Sequence, residues 1–253
     1  MPAATPRLYD DLAYLWPLLS PPEDYAAEAV AVMDAVEPYL HHKQAAGERP
    51  TLIEFGAGGG HSLVYLQDRF ACTAVDLSEP MLAHCRDLVP EAEAIVGDMR
   101  HLRLERTFDV VLMHDAIDYM TSPEDARAAL ATAAAHLAPG GVCVVAPTYI
   151  ADGFEDGQYE ADHALVEGQR LTYLSYLRRR PENTERLDLH LTYVLDDGER
   201  VEVTHDLHEC GLFSLDQWRD WLRDAGLLAV TAPKDAGAWH GFIARHHGAS
   251  RDG

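Results

Sequence analysis

Short, mostly apolar stretches alternate with amphipathic ones through the first 150 residues of the chain. The apolar stretches have the length of strands and lie at residues 51–55, 71–75, 92–96, 108–113 and 141–146. Between them, apolar residues recur at helical spacing. Strands that are apolar throughout occur in parallel sheets that helices cover on both faces. The pattern therefore predicts a doubly wound α/β fold.

Helix-start signals support this alternation. Ser78 has the position of an N-cap after the second predicted strand. Ser122 and Ser214 open two capping boxes, with Asp125 and Gln217 as their partners three residues on. Each of the three serines therefore predicts a helix that begins at the next residue.

The pattern changes after residue 150. Residues 169–177, 186–195 and 200–212 each alternate as a strand with one exposed face does, and turn residues separate them. We therefore expect an antiparallel β insertion in the α/β core. Two further strands, at residues 227–232 and 239–245, would complete a mostly parallel sheet of seven strands.

These patterns divide the chain into four parts. We expect an N-terminal helical cap at residues 1–49 and a ligand-binding core at residues 50–150. The antiparallel insertion would occupy residues 151–213 and form a lid and acceptor site, and residues 214–253 would complete the core with a helix and strands. A chain of this length can bury one full core with such an insertion.

Charge and composition narrow the range of partners. The 253 residues include 20 lysines and arginines against 42 aspartates and glutamates, a formal net charge of −22. Such a charge repels phosphate backbones and anionic lipid, so we expect neither a nucleic acid nor a membrane as partner. The four cysteines form no CxxC pair, which is typical of reduced cysteines and argues against a metal site. Without a signal peptide or an apolar run of about 20 residues, the chain is expected to be cytoplasmic.

A glycine-rich turn follows the first predicted strand. Glu54 is followed by Gly56, Gly58 and Gly60, and the next predicted helix begins directly after them. Glycines at such a turn let the backbone approach a ligand closely and present its N–H groups. A dinucleotide-binding turn would need glycine where His61 stands, and a P-loop would need lysine followed by serine or threonine. Both of those nucleotide sites are therefore disfavoured.

The passage from Glu54 onward resembles the class I S-adenosylmethionine-dependent methyltransferases. That family has an acidic residue, then Gly-x-Gly-x-Gly, and acidic residues after the next two strands, where this chain has Asp76 and Asp98. The resemblance covers residues 50–147 and implies S-adenosylmethionine as cofactor and S-adenosylhomocysteine as product. It implies that Asp76 binds both ribose hydroxyls, that Asp98 holds the adenine amino group and that Glu54 positions the methionine amine. The cofactor contacts it implies are Glu54, Gly56, Gly58, Gly60, Asp76, Leu77, Asp98 and Met99.

A finer resemblance is to bacterial N,N-dimethyltransferases of nucleotide-linked amino sugars. The passages that carry it are the β insertion and residues 24–29, 76–82, 97–100 and 241–243. In relatives of this layout, aromatic residues near the amino end close over the cofactor, and Tyr9 and Trp16 resemble these. Tyr119 falls where amino-sugar relatives place a proposed base or a tyrosine.

The acceptor site is expected at the carboxyl end of the fourth strand, because ligands of open α/β sheets bind at that edge. The candidates there are His114, Asp115, Asp118 and Tyr119. We predict that Tyr119 positions the acceptor and, with His114 or Asp118 nearby, accepts its proton directly or through water. His114 is also predicted to contact the cofactor, and Asp115 the acceptor. Other predicted acceptor contacts are Tyr149, His190 and His208.

The sequence thus predicts an S-adenosylmethionine-dependent methyltransferase of a small-molecule acceptor, present as a monomer or homodimer and without a bound metal. Acidic residues beside Tyr119 favour a cationic amine as the acceptor. Methylation of a hydroxyl group is the second possibility, because the same side chains can deprotonate an alcohol. The alternative from another class is a regulatory protein that binds S-adenosylmethionine without catalysis.

Overall fold

The computed structural model describes residues 6–40, 43, 47–166, 169–231 and 241–246. Its strands are β1 (Thr51–Phe55), β2 (Ala71–Asp76), β3 (Glu93–Val96), β4 (Phe108–His114), β5 (Leu137–Ala146), β6 (Tyr159–Val166), β7 (Gln169–Arg180), β8 (Asn183–Asp196), β9 (Val201–Gly211), β10 (Leu227–Thr231) and β11 (Phe242–His246). Its helices are α1 (Trp16–Leu19), α2 (Ala26–Val36), α3 (His61–Leu66), α4 (Glu79–Leu88), α5 (Pro123–His136) and α6 (Leu215–Asp224). Short 3₁₀ turns include Arg7–Tyr9, Ala13–Leu15, Pro22–Tyr25, Glu37–Tyr39 and Ala116–Tyr119.

Seven strands form one sheet in the order β3-β2-β1-β4-β5-β11-β10. Neighbouring strands run parallel except at β11, which is antiparallel to both β5 and β10. This arrangement confirms the predicted doubly wound, mostly parallel sheet. Residues 232–240 lie outside the described part of the chain, and the predicted strand ends at 232 and 239–240 lie there with them.

Helices cover both faces of this sheet. On one face α5 and α6 bury Leu130, Trp218 and Trp221 against the strands. On the other face α2 and α4 bury Val36 and Leu82. Full burial of an aliphatic side chain of this size contributes about 1.5–3 kcal/mol each, which explains why strands such as β4 are apolar along nearly their whole length.

The predicted serine caps are present at three helices. Ser78 Oγ accepts the N–H of Met81, and Ser214 forms a complete capping box with Gln217. At α5, Ser122 accepts the N–H of Asp125. The Asp125 carboxylate instead accepts the Arg100 guanidinium at 3.0 Å, so the predicted reciprocal half of that box is replaced by an ion pair.

The insertion is an antiparallel sheet of four strands in the order β6-β7-β8-β9. The sequence predicted three of these strands, and β6 was missed. β6 lies at the edge of the sheet and pairs with β7 alone among the described strands. Because most of its side chains are exposed and several are polar, its composition lacks the apolar content by which the other strands were found.

The carboxyl ends of β1, β2, β4 and β5 meet at one edge of the large sheet. Phe55 of β1 pairs with Val75 of β2, and His114 of β4 pairs with Ala146 of β5. The turns that follow these four ends therefore lie side by side and define the place where a ligand site is expected. No helix among the described residues is long and apolar enough to span a membrane.

Candidate active site

The glycine turn after β1 requires glycine for two physical reasons. Gly56, Gly58 and Gly60 have φ angles of 81°, 52° and 80°, in the left-handed region that side chains disfavour. A Cβ at Gly56 would overlap the Cβ of Ala116, and one at Gly60 would lie 2.7 Å from Sγ of Cys85. The turn is therefore pressed between the chain after β4 and helix α4.

Asp76, at the end of β2, holds this turn in place. Its Oδ2 accepts the N–H of Gly58 at 2.9 Å and its Oδ1 accepts the N–H of Ser78 at 2.8 Å. Burial raises the pKa of Asp76, and these backbone N–H groups partly offset that rise. Each carboxylate oxygen has a second lone pair, so both can still accept a hydroxyl group from a ligand. The neighbouring Leu77 is 62% exposed beside them.

Glu54 is a buried carboxylate that lacks a partner for one oxygen. The residue is 3% exposed, and its Oε2 has no hydrogen-bond partner among the described residues. Burial raises the pKa of Glu54 to about 8, a hydrogen bond from Ser62 opposes the rise, and the charges of Asp115 and Asp76 add to it. A cationic group placed beside Oε2 would satisfy this oxygen and stabilise the carboxylate. The α-amino group of S-adenosylmethionine is such a group.

Asp98 lies in the turn after β3 and is engaged by Arg100. The Nε–H group of Arg100 donates to both carboxylate oxygens at 3.0 Å, and its Nη2 donates to Oδ2 at 2.7 Å. The backbone N–H of Arg100 donates to Oδ1 at 2.8 Å. Burial would raise the pKa of Asp98, but the bonds from Arg100 outweigh burial and lower it. Arg100 belongs to the passage 97–100, but the sequence did not predict its ion pair with Asp98. Met99, 8% exposed, packs beneath the glycine turn.

The N-terminal segment lies against the glycine turn through Trp16 and against the start of α4 through Tyr9. The indole Cδ1 of Trp16 would lie 3.0 Å from a Cβ at Gly59, and its ring stacks on His61 with centroids 5.9 Å apart. The carbonyl of Tyr9 accepts the Ser78 hydroxyl at 2.5 Å. Trp16 Nε1 is buried and lacks a hydrogen-bond partner in the described part of the chain.

Tyr119 joins three separate parts of the chain through one hydrogen-bonded line. Its hydroxyl group lies 2.8 Å from the Tyr9 hydroxyl and 2.7 Å from Nδ1 of His208. Nε2 of His208 lies 3.0 Å from Oδ2 of Asp206. The line therefore runs from the N-terminal segment, through the 3₁₀ turn after β4, to strand β9 of the insertion. The prediction paired Tyr119 with His114 or Asp118, whereas its hydrogen-bond partners in the structure are Tyr9 and His208.

Asp206 was missed by sequence reasoning and is a central member of this line. It is 5% exposed and accepts the backbone N–H groups of Leu8 at 2.9 Å and Arg7 at 3.1 Å. Burial acts to raise its pKa, but the bonds from His208 and from these two N–H groups lower it to about 2. A usable signal was present, because Asp206 and His208 are two residues apart on a strand and so share one face.

His114 ends β4 between two carboxylates. Its Nε2 lies 3.4 Å from Glu28 of α2 and 3.4 Å from Asp115. Burial raises the pKa of Glu28, and the charge of His114 opposes this rise. The sequence did not predict Glu28 as a site residue. Its negative charge adds to that of Asp115 at the sheet edge.

Asp118 anchors the turn that carries Tyr119. Its Oδ2 accepts the N–H of Thr148 at 2.9 Å, and the Thr148 hydroxyl group donates to Asp115 at 2.6 Å. Burial, followed by the charge of Asp115, raises the pKa of Asp118 well above its usual range. Tyr149 follows Thr148 and packs with Tyr119 against the insertion. Thr148 thus fixes the relative position of two predicted site residues.

His190 is not brought to this site. It pairs directly with Leu207 across β8 and β9, so it shares the face of Leu207 and lies on the face opposite to that of His208. Its Nδ1 lies 3.1 Å from Nε2 of His205 on this exposed outer face. The position of His190 therefore gives no support to the predicted acceptor contact. The sequence could not show this, because the alternation within one strand does not reveal its register against the next strand.

The chain matches the family model of a methyltransferase domain over residues 52–141. It is 36% identical over 207 residues to the dTDP-3-amino-3,4,6-trideoxy-alpha-D-glucopyranose N,N-dimethyltransferase of Streptomyces venezuelae, across 81% of this chain and 84% of that one. The crystal structure of Streptomyces venezuelae DesVI superposes with a TM-score of 0.78 at 29% identity, covering 94% of this chain and 96% of that one. A SAM-bound amino pentose methyltransferase from Micromonospora echinaspora has a TM-score of 0.74 at 25% identity, with coverages of 88% and 92%.

The fold, the glycine turn with its carboxylates and these similarities define an enzyme that binds S-adenosylmethionine. The chain belongs to the class I S-adenosylmethionine-dependent methyltransferases, within the bacterial group that methylates small molecules such as amino sugars. Its cofactor is S-adenosylmethionine, and the residues at the sheet edge fit that cofactor: the unpartnered Oε2 of Glu54 suits its amino group, and the free lone pairs of Asp76 suit its ribose.

Proposed function

We propose that this enzyme methylates the amino group of a nucleotide-linked amino sugar. The observation that carries the proposal is the 2.8 Å contact between the hydroxyl groups of Tyr9 and Tyr119, beside the cofactor turn and under the insertion. Two hydroxyl groups at that place can hold a polar acceptor atom by hydrogen bonds. The names of similar proteins, a dTDP-amino-sugar N,N-dimethyltransferase and an amino pentose methyltransferase, agree with an amine as the acceptor.

The charge around the two hydroxyl groups also favours an amine. The carboxylates of Glu28 and Asp115 lie at the same edge of the sheet, each 3.4 Å from Nε2 of His114. A negative surrounding attracts an ammonium group and repels a carboxylate. The formal net charge of −22 adds a field of the same sign.

The residues of the chain act mainly by binding and alignment. When bound, S-adenosylmethionine supplies a methyl group on a positively charged sulfur, which is a good leaving group. Asp76 holds the ribose and Glu54 the amino group of the cofactor, and Tyr119 aligns the acceptor nitrogen with the methyl carbon. Tyr9 and Trp16 exclude water from above. Alignment of two reactants in this manner contributes up to about 7–11 kcal/mol to the lowering of the barrier.

The insertion is proposed to form the lid and the acceptor wall. Its strand β9 supplies His208, which bonds Tyr119 directly. Leu187 and Cys210, also in the insertion, pack against Tyr119 and Tyr149. These contacts support an acceptor site built jointly by the core and residues 151–213, with Asp98 proposed to contact the adenine at the far end of the cofactor.

The acceptor proposal is tested with two matched sugars. Purified enzyme and S-adenosylmethionine are incubated with dTDP-3-amino-3,4,6-trideoxyglucose or with the same nucleotide sugar that carries a hydroxyl group in place of the amine. We expect mass spectrometry to find one and then two added methyl groups on the amino sugar, and none on its hydroxyl analogue. Equal methylation of both sugars, or of the hydroxyl analogue alone, would contradict an amine acceptor.

A homodimer is proposed to form through the outer face of the insertion. The large apolar side chains exposed on this face are Tyr159, Leu165, Leu174, Tyr176, Val201, Val203 and Leu207. An apolar face is complementary to itself, as a two-fold interface requires, and patches of this kind mark interfaces. Light scattering should give twice the chain mass, and Val203→Glu should give the monomer mass.

We also propose a cytoplasmic location, because all four cysteines are buried free thiols, as is usual in a reducing compartment.

A further inference from the structure

The pair formed by Asp206 and His208 lies behind Tyr119 in an order that suits proton transfer. His208 is 1% exposed, and its two ring nitrogens are both engaged, Nε2 by Asp206 and Nδ1 by Tyr119. The Asp206 carboxylate can only accept a hydrogen bond, so the ring hydrogen of His208 lies on Nε2. In the neutral imidazole Nδ1 then has a free lone pair, to which the hydroxyl group of Tyr119 can donate.

Neither tyrosine is suited to act as the final base. Burial raises the pKa of both Tyr9 and Tyr119 well above the usual range of a phenol, so both hydroxyl groups are protonated at neutral pH. A protonated phenol can still pass a proton on, since its oxygen can accept one hydrogen while its own hydrogen moves to another base. The adjacent base in this line is Nδ1 of His208.

We propose that His208 takes up, through the hydroxyl group of Tyr119, the proton that the acceptor ammonium must lose before it attacks. This inference rests on the proposed amine acceptor. An N–H bond of the ammonium breaks and leaves its electron pair on nitrogen, while an O–H bond forms at Tyr119. The original O–H bond of Tyr119 breaks and an N–H bond forms at Nδ1 of His208. His208 thereby becomes an imidazolium, which the Asp206 carboxylate stabilises.

The surroundings of the pair are consistent with a site that holds one extra proton. The titratable and charged groups that face it are Arg7, Tyr9 and Asp11 on the N-terminal segment, Tyr119 on the turn after β4, Tyr193 on β8 and Cys210 on β9. Arg7 is engaged by Asp11 through its side chain and by Asp206 through its backbone. In this surrounding, Asp206 is the carboxylate in direct contact with the imidazole.

His208→Asn separates positioning from proton uptake. The carboxamide oxygen of asparagine can accept the Tyr119 hydroxyl group near the place of Nδ1, but it cannot hold a proton. His205→Asn is the matched control, because His205 lies on the same strand with its side chain on the exposed outer face. Calorimetry with S-adenosylhomocysteine checks that both variants keep wild-type cofactor affinity and hence a folded site.

The decisive readout is the pH profile of kcat on the amino sugar. At pH 7 we expect His208→Asn to lower kcat by about 10²–10⁴-fold, with the acceptor KM changed little. Above the pKa of the free amine the acceptor arrives neutral, so the deficit should shrink to within a few-fold. His205→Asn should follow the wild type at every pH. A deficit of the same size at all pH values, or no deficit, would overturn the proposal.

A second readout does not depend on the acceptor. ¹⁵N spectra of the His208 ring in the wild-type enzyme should show hydrogen on Nε2 and a hydrogen-bonded, unprotonated Nδ1 at neutral pH, and Tyr119→Phe should shift Nδ1 alone. A hydrogen on Nδ1 at neutral pH would overturn the inference, because that nitrogen could then take up nothing. If the wild type fails to methylate the amino sugar, the proposed acceptor is contradicted and this spectrum decides the inference separately.

Discussion

The hydroxyl group of Tyr119 lies 2.7 Å from Nδ1 of His208, which is 89 residues away along the chain. This bond links the methyltransferase core to the antiparallel insertion at the point where the acceptor is expected. The insertion is therefore joined to the polar chemistry of the site and is more than a cover over it. Because Tyr119 bonds His208 and Tyr9, and none of the carboxylates assigned to the cofactor, its role can be tested separately from cofactor binding.

Tyr119→Phe should lower kcat and leave cofactor affinity within about two-fold. The substitution removes the hydroxyl group that aligns the acceptor, and a group that acts mainly in the transition state affects kcat more than binding. Steady-state kinetics and calorimetry measure the two effects. Tyr176→Phe is the control, since Tyr176 lies exposed on the outer face. Full activity of Tyr119→Phe on the true acceptor would remove Tyr119 from catalysis.

Asp76→Ala should weaken S-adenosylmethionine binding by more than ten-fold. The carboxylate is expected to accept two hydroxyl groups, and hydrogen bonds to a charged group contribute about 1.5–3 kcal/mol each. Asp87→Ala is the control, because Asp87 is exposed on the nearby helix α4. Unchanged affinity in a folded Asp76→Ala protein, measured by calorimetry, would exclude the ribose role.

Gly56→Ala should destabilise the protein more than Gly140→Ala. Both glycines have a φ near 80°, but only the Cβ added at Gly56 would meet another group, the Cβ of Ala116. The left-handed conformation costs about 1–2 kcal/mol in each variant, and overlap adds to this at Gly56. Thermal unfolding should therefore give a lower Tm for Gly56→Ala, and adding Ala116→Gly should restore part of it. Equal Tm values for the two single variants would show that the overlap with Ala116 does not destabilise the protein.

The raised pKa of Glu54 gives two effects of pH. Because the pKa rises from 4.5 to about 8 on folding, the folded cofactor-free protein holds a proton that the unfolded chain has lost within this range. Stability should therefore fall as pH rises from about 4.5 to about 8, and Glu54→Gln should reduce that slope. At pH 7, binding of S-adenosylmethionine should release about one proton, since its ammonium group favours the ionised carboxylate. Calorimetry in buffers of different ionisation enthalpy measures this release, and a value near zero would place the amino group elsewhere.

The large sheet could be predicted from the sequence because burial on both faces makes its strands mostly apolar. Glu54, Asp76 and His114 were placed at one edge for the same reason, since parallel strands end together. The partners of Tyr119 could not be derived in this way. Whether His190 or His208 faces the core depends on the register between β8 and β9, and a strand pattern does not contain that register. Strand β6 was missed because an exposed edge strand needs no apolar run.

We propose that the methyl group is transferred to the nitrogen of an amino sugar. The most direct measurement uses S-adenosylmethionine with a ¹³C-labelled methyl group and dTDP-3-amino-3,4,6-trideoxyglucose as acceptor, followed by NMR of the product. We predict two labelled methyl carbons, both bonded to the sugar nitrogen. Label on an oxygen atom of the sugar, or no label in the product while the enzyme still binds S-adenosylmethionine, would contradict the account.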